Sequence, residues 1–303
     1  MAVSAPADRL KADGVLLAMT AVWGLSFVVV KDALDRADPF TWLTLRFLIG
    51  AIALTIIARR SWDRFDRKAS LVLGVLLWLG FVLQTTGLQY ATPSRSAFLT
   101  GLFVVLTPLV STVVFRRLPR PASLAGVALA FAGTWWLTSA APRGGSGAAP
   151  SSEAWLGDAL TAGCALVYSI HLALTEKYAP GSSPSALVAA QLWVVCGLSA
   201  LAIPFTTPRF DPSPGWFAAL AYAGVLASAV GFTAQTWAQA RTTAVRAALV
   251  IATEPIFAAA YSVAIGRETL GPREVTGGAL ILLGILVAEV GGLLWRRPEP
   301  RAS

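Results

Sequence analysis

The feature that most restricts this chain is the grouping of its apolar residues into about ten blocks of roughly 20, each long enough to cross a bilayer as a helix. A water-soluble fold has no interior large enough to hide so many. Hydrophobic residues make up 56% of the 303 and charged residues only 13%, against roughly 25% charged in a soluble domain. Disorder is excluded on the same ground. Ten helices would use about 200 residues and leave no room for a soluble domain. The first block is followed by nine more rather than by a cleavage site, so it is expected to stay as a helix.

A net charge of +8 raises the question of nucleic-acid binding, which the positions of the 24 Lys and Arg answer. With connections alternating sides, 16 fall on the side of the two termini and 7 on the other. The densest group is Arg59, Arg60, Arg64, Arg67 and Lys68. By the positive-inside rule both termini are expected in the cytoplasm, in a bacterial inner membrane. The basic balance therefore reads as topology, with the lipid bilayer and a small molecule as partners and no nucleic acid. Cys164 and Cys196 lie within apolar blocks and read as packing residues.

The chain also repeats itself. Gly80, Phe81, Gln84, Thr85, Thr92, Arg95 and Ala97 recur 151 residues later as Gly231, Phe232, Gln235, Thr236, Thr243, Arg246 and Ala248. An offset of 145 pairs Asp13 with Asp158 and Pro39 with Pro184, and aligns Trp23 with Tyr168. The expected fold is all-α, with ten transmembrane helices as two five-helix repeats around a central cavity. Five is odd, so the second unit enters the membrane from the opposite side and the repeats are inverted, an arrangement typical of secondary transporters. The expected divisions are a tail at 1–13, repeats at 14–139 and 155–294, an external connection at 140–154 and a tail at 295–303.

Several local patterns resemble the drug/metabolite transporter superfamily, and within it the ten-helix EamA-type metabolite exporters. They are Trp23-Gly24 with Ser26-Phe27, Arg46-Phe47, Thr107-Pro108-Leu109, Gly157-Asp158, Glu254-Pro255 and Gly266-Arg267-Glu268, in order from about Asp13 to Leu294. The resemblance implies a cavity lined mainly by helices 1, 3, 4, 6, 8 and 9, with helices 5 and 10 at the periphery. The chain departs from the family at Arg117, where a Glu is often found, and helix 1 lacks the acidic residue that small multidrug relatives carry.

Polar residues inside the spans carry the chemistry, because a charge in the bilayer costs about 2.5 to 3.5 kcal/mol even on the mildest scale. Glu254 is expected near the midplane of helix 9, beside a proline that cannot hydrogen-bond the carbonyl of Ile251. It is the candidate for proton coupling, binding a proton or a substrate cation in turn. Pro108 and Pro255 are the expected helix breaks. Gln84 and Gln235 are expected to face one cavity, with Trp23, Ser26, Tyr168 and His171 as further substrate-binding candidates. Arg46, roughly 10 Å into helix 2, reads as a structural ion pair or a snorkelling side chain.

These residues point to a secondary-active carrier of small organic metabolites, amino acids or related compounds, exported by alternating access with protons as the coupling ion. A multidrug or lipid-like-compound carrier is the alternative. A distant second alternative, an intramembrane hydrolase, would need Ser26 and His171 to meet as nucleophile and base. Neither a cofactor nor a metal is expected, and no P-loop motif points to ATP. A monomer or weak oligomer suffices.

Overall fold

Proline and short polar residues divide the chain into helices. Pro39, Pro93, Pro184 and Pro214 stand in the first turn of their helices, where the missing N–H is not needed and the fixed φ suits the helix. Polar side chains cap the ends: Asp38 accepts from the amides of Phe40 and Thr41, Thr92 from that of Arg95, and Thr243 from that of Arg246.

A computed structural model describes residues 6–62, 64–116, 121–138 and 152–294. Its helices are α1 (Pro6–Leu34), α2 (Pro39–Ala58), α3 (Arg67–Gln89), α4 (Pro93–Thr100), α5 (Phe103–Phe115), α6 (Pro121–Thr138) and α7 (Ser152–Tyr178). They continue with α8 (Pro184–Ala202), α9 (Pro214–Ala221), α10 (Gly231–Gln239), α11 (Ala244–Ile251), α12 (Glu254–Ala264) and α13 (Pro272–Leu294). A π-helical stretch, Tyr222–Val230, joins α9 to α10. Among the described residues there is no strand, and an isolated antiparallel bridge pairs Ala37 with Phe210.

Among the described residues, eight helical stretches are long and apolar enough to cross a membrane, from Leu10–Leu34 to Ala244–Ala264. They coincide with eight of the expected spans. The segments expected as the other two form α6 and α13, which pack on each other. Large apolar side chains point outward, with Val113 79% and Phe131 68% exposed, as a surface solvated by acyl chains allows. The protein is a multi-pass membrane protein. Helix α1 begins at Pro6 and α7 at Ser152, so helix extends into the stretches expected as the 1–13 tail and the 140–154 connection. The remainder of that connection and the 295–303 tail lie outside the described residues.

Packing runs largely between the two halves: α6 on α13, α2 on α8, α3 on α7 and α1 on α12. Small residues permit the close approach of α6 and α13. A Cβ on Gly133 would stand 2.8 Å from the Gly277 carbonyl, and one on Gly284 would stand 2.6 Å from that of Gly126.

Two spans are interrupted. The α4–α5 span breaks at Gly101–Leu102 and the α11–α12 span at Ala252–Thr253, two sites again 151 residues apart. Pro255 lies in the first turn of α12, at its break. Pro108, expected to break the other span, instead lies inside α5, several residues beyond the break. One lost hydrogen bond does not end an apolar helix whose neighbouring turns are intact. The break forms where Gly101 meets the other half: a Cβ there would lie 3.2 Å from Pro255 Cγ.

Candidate functional site

The antiparallel order of helices gives the molecule two ends, a near face where α1 begins and a far face where it finishes. Each is tied by a salt bridge between the halves. On the far face Arg95 donates through Nε and Nη2 to Asp158 at 2.8 and 2.6 Å. On the near face Arg246 Nη2 donates to Asp13 at 2.6 Å. Glutamates cap the N-termini of the interrupted spans: the Ser94 amide donates to Glu268 and the Ala244 amide to Glu176.

Between these ties a cavity opens where α1, α2, α3, α7 and α10 converge on the two helix breaks. Trp23, Ser26, Gln84, Tyr168, His171, Gln235 and Glu254 all line it, so the candidates that the sequence scattered over more than 200 positions share one wall. Apolar walls come from Phe27, Phe81, Phe103 and Phe232, among others. Neither α6 nor α13 contributes to the lining.

Two sockets position the aromatic pair. A Cβ at Gly80 on α3 would run into the Tyr168 ring of α7, and one at Gly231 would lie 2.8 Å from Trp23 Nε1 of α1. Glycine at both positions lets each ring pack directly against the backbone of the opposite half. Trp23 Nε1 then donates to the Ala227 carbonyl at 2.8 Å, and the Tyr168 hydroxyl donates to Gln84 Oε1 at 3.4 Å. Gln84 Nε2 donates to Thr100 at 3.3 Å. Gln235 Nε2 donates to Gln239 Oε1, whose own amide donates to the Leu172 carbonyl of α7, both at 2.9 Å. Both cavity amides are thus held in place while facing the opening. Gln239 was not singled out in the sequence, since its equivalent 151 positions earlier is the apolar Leu88.

The hydrolase constellation does not assemble. The Ser26 hydroxyl donates to the Val22 carbonyl of its own helix, and His171 Nε2 stands 3.0 Å from Gln191 Oε1.

Two charged groups set the electrostatics. Glu254 is 9% exposed, and its carboxylate makes no hydrogen bond or salt bridge to any described residue. It sits in the first turn of α12, where the helix dipole favours negative charge. Gly24 lets α1 press against this turn, with the Glu254 carbonyl 3.1 Å from where a Cβ would be. Arg46 is 3% exposed and also lines the cavity. The structure corrects the reading of this residue. It neither pairs with a carboxylate among the described residues nor snorkels to the surface: Nε donates to Ser228 at 2.9 Å, and the guanidinium stands 4.7 Å from the Phe81 ring centroid and 5.2 Å from that of Phe47. The available signal was the lack of any acidic residue within α2.

The profile of the EamA-like transporter family matches residues 10–139 and 155–289. An uncharacterized transporter of Archaeoglobus fulgidus is 33% identical over 282 residues, covering 93% of this chain and 87% of the relative. A Chlamydia muridarum protein named S-adenosylmethionine/S-adenosylhomocysteine transporter is 28% identical over 36% of each chain. A crystal structure with 20% sequence identity superposes with a TM-score of 0.74, covering 95% of this chain and 99% of the other, a likeness of fold alone.

Proposed function

Because the chain belongs to the EamA-like transporter family, we propose that it is a secondary carrier that exports a small organic metabolite, an amino acid or related compound, in exchange for protons. The observation that carries this reading is the convergence of polar side chains from both halves on one apolar-walled cavity between two interrupted helices. Broken helices that present backbone ends near a central cavity are a recurring device of such carriers. The relative named for S-adenosylmethionine and S-adenosylhomocysteine favours amino-acid derivatives among possible cargoes.

The transport cycle we propose uses ten spans in two inverted halves, with both termini in the cytoplasm. The double family match and the paired offsets of 151 and 145 support the duplication. The exchange of ion pairs between halves, Arg95 with Asp158 and Arg246 with Asp13, supports a two-fold relation in the membrane plane. In the cycle each face separates in turn while the cavity residues stay with their helices. Trp23, Ser26, Gln84, Tyr168, His171 and Gln235 contact the cargo, and Glu254 alternates between a proton and a cationic group.

Metabolite counterflow in proteoliposomes with a broad amino-acid panel tests the reading. Glu254→Gln keeps shape and hydrogen-bonding capacity but cannot titrate. That variant is expected to exchange substrate for substrate while losing its acceleration by a pH gradient. Full pH-driven transport by the variant would make the carboxylate structural.

A further inference from the structure

We infer that Arg46 is the anchor for a carboxylate on the transported molecule, so that the cargo is a zwitterion with its anionic end on α2. This rests on the carrier reading above and adds the recognition chemistry that reading leaves open.

A guanidinium has five N–H donors in a planar fork and keeps its charge throughout the pH range of a cell. At Arg46 one of the five is used, by Ser228, and no described residue accepts from the terminal nitrogens or supplies a carboxylate. The rings of Phe47 and Phe81 shield the group on their sides and offer cation–π contact. That contact offsets part of the cost of burial but satisfies no donor. A buried cation in a cavity wall, from whose terminal nitrogens no described residue accepts, is short of an anion, and a carboxylate matches the paired terminal N–H groups bidentately.

The other charge in the cavity settles which anion. Glu254 faces the same space without a cationic partner. One positive and one negative wall group balance a molecule carrying one negative and one positive group. A phosphate of charge near −2 would leave the cavity net negative, and a simple amine would leave Arg46 unpaired. Apolar lining from Trp23, Phe27 and Phe232 suits a hydrophobic side chain between the charged ends.

The test uses the purified full chain in detergent and three probes: L-phenylalanine, its amide, and phenethylamine, which lacks the carboxyl carbon. Thermal stabilisation against probe concentration gives apparent affinities, and counterflow in proteoliposomes gives transport. The unaltered protein is expected to prefer phenylalanine to both carboxylate-free probes. Arg46→Gln should weaken phenylalanine about tenfold or more, the worth of a lost charge-assisted hydrogen bond, while not weakening phenethylamine, which has no acceptor for the guanidinium. Arg46→Lys, which keeps the charge but not the fork, should fall between them. Retained binding of phenethylamine shows that the variants are folded. An unchanged preference for the carboxylate in Arg46→Gln would overturn the assignment. Exchange of the amide or amine without exchange of phenylalanine would also overturn it and leave the carrier standing. Neither binding nor exchange of any of the three, nor of any other amino acid or amine in the panel, would remove both.

Discussion

The two faces of the molecule are tied by the same pair of residue types at equivalent positions in the duplicated sequence, yet the ties differ. Arg95 and Asp158 are buried together, each side chain 8% exposed, whereas Arg246 and Asp13 are 47% and 20% exposed. Near Arg95, the Lys31 ammonium caps the carbonyls of Leu88 and Gln89, and Glu268 holds the first turn of α4. Burial, not the chemistry of the bond, separates these two pairs, and the far face carries two more exposed bridges between the halves, Arg36 with Asp211 and Arg267 with Asp32. A buried pair is costly to leave half-made, while an exposed one is screened and weak. The sequence symmetry thus coexists with a conformation in which the far face is the more firmly sealed.

The largest effect is expected from Asp158→Asn, which takes the carboxylate from the buried Arg95. The loss should be about 3 to 5 kcal/mol, measurable as a lowered unfolding midpoint in detergent. Replacing both partners with apolar residues should recover much of it, because no buried charge then remains at the pair. If Asp158→Asn costs no more than the equivalent change on the near face, the difference in burial has no energetic meaning.

The near-face change, Asp13→Asn, should cost about 0.2 to 1 kcal/mol and become undetectable at high salt. Its effect belongs in the rate of transport if the near face is the one that separates first. A salt-independent loss of several kcal/mol would place the two pairs on an equal footing.

The smallest effect concerns Asp38, a far-face acid ahead of α2. Burial pushes its carboxyl up, but hydrogen bonds from Thr41, through side chain and amide, and from the amides of Arg209 and Phe40 outweigh that and hold it below the ordinary carboxylate value. A lowered value in the folded state means that the stabilisation is full above the unfolded value of about 3.9 and is lost as pH falls through the folded one. Asp38→Asn should flatten that acid limb, and an unaltered acid titration would remove Asp38 from the ties of the far face.

Much of this architecture was legible because the bilayer writes it in large letters. Apolar blocks fix the helices, and recurrence of residues such as Gly80 and Gly231 exposes the duplication before any contact is known. The cavity candidates were legible for a related reason: a polar side chain in a lipid-facing position is costly, so Gln84, Gln235 and Glu254 mark the interior by their identity. Neighbours across helices leave no such mark. That Gly80 receives Tyr168 and Gly231 receives Trp23 joins two pairs the sequence presented separately. Arg46 was misread because its environment is made by Ser228 and Phe81 on other elements. The first break was misplaced because proline is visible in a sequence, whereas the contact of Gly101 with Pro255 is a property of the assembled halves.

The ties between halves also set a timetable for synthesis. Asp158 follows Arg95 by 63 residues and Arg246 follows Asp13 by 233. At about 5 to 20 residues per second, the first arginine waits roughly 3 to 13 s for its carboxylate, and Asp13 waits roughly 12 to 47 s. During that interval the first half holds Arg95 without Asp158 and the Gly80 socket without the Tyr168 ring that fills it. The far-face tie can therefore form well before the near-face one, while most of the second half is still to be made.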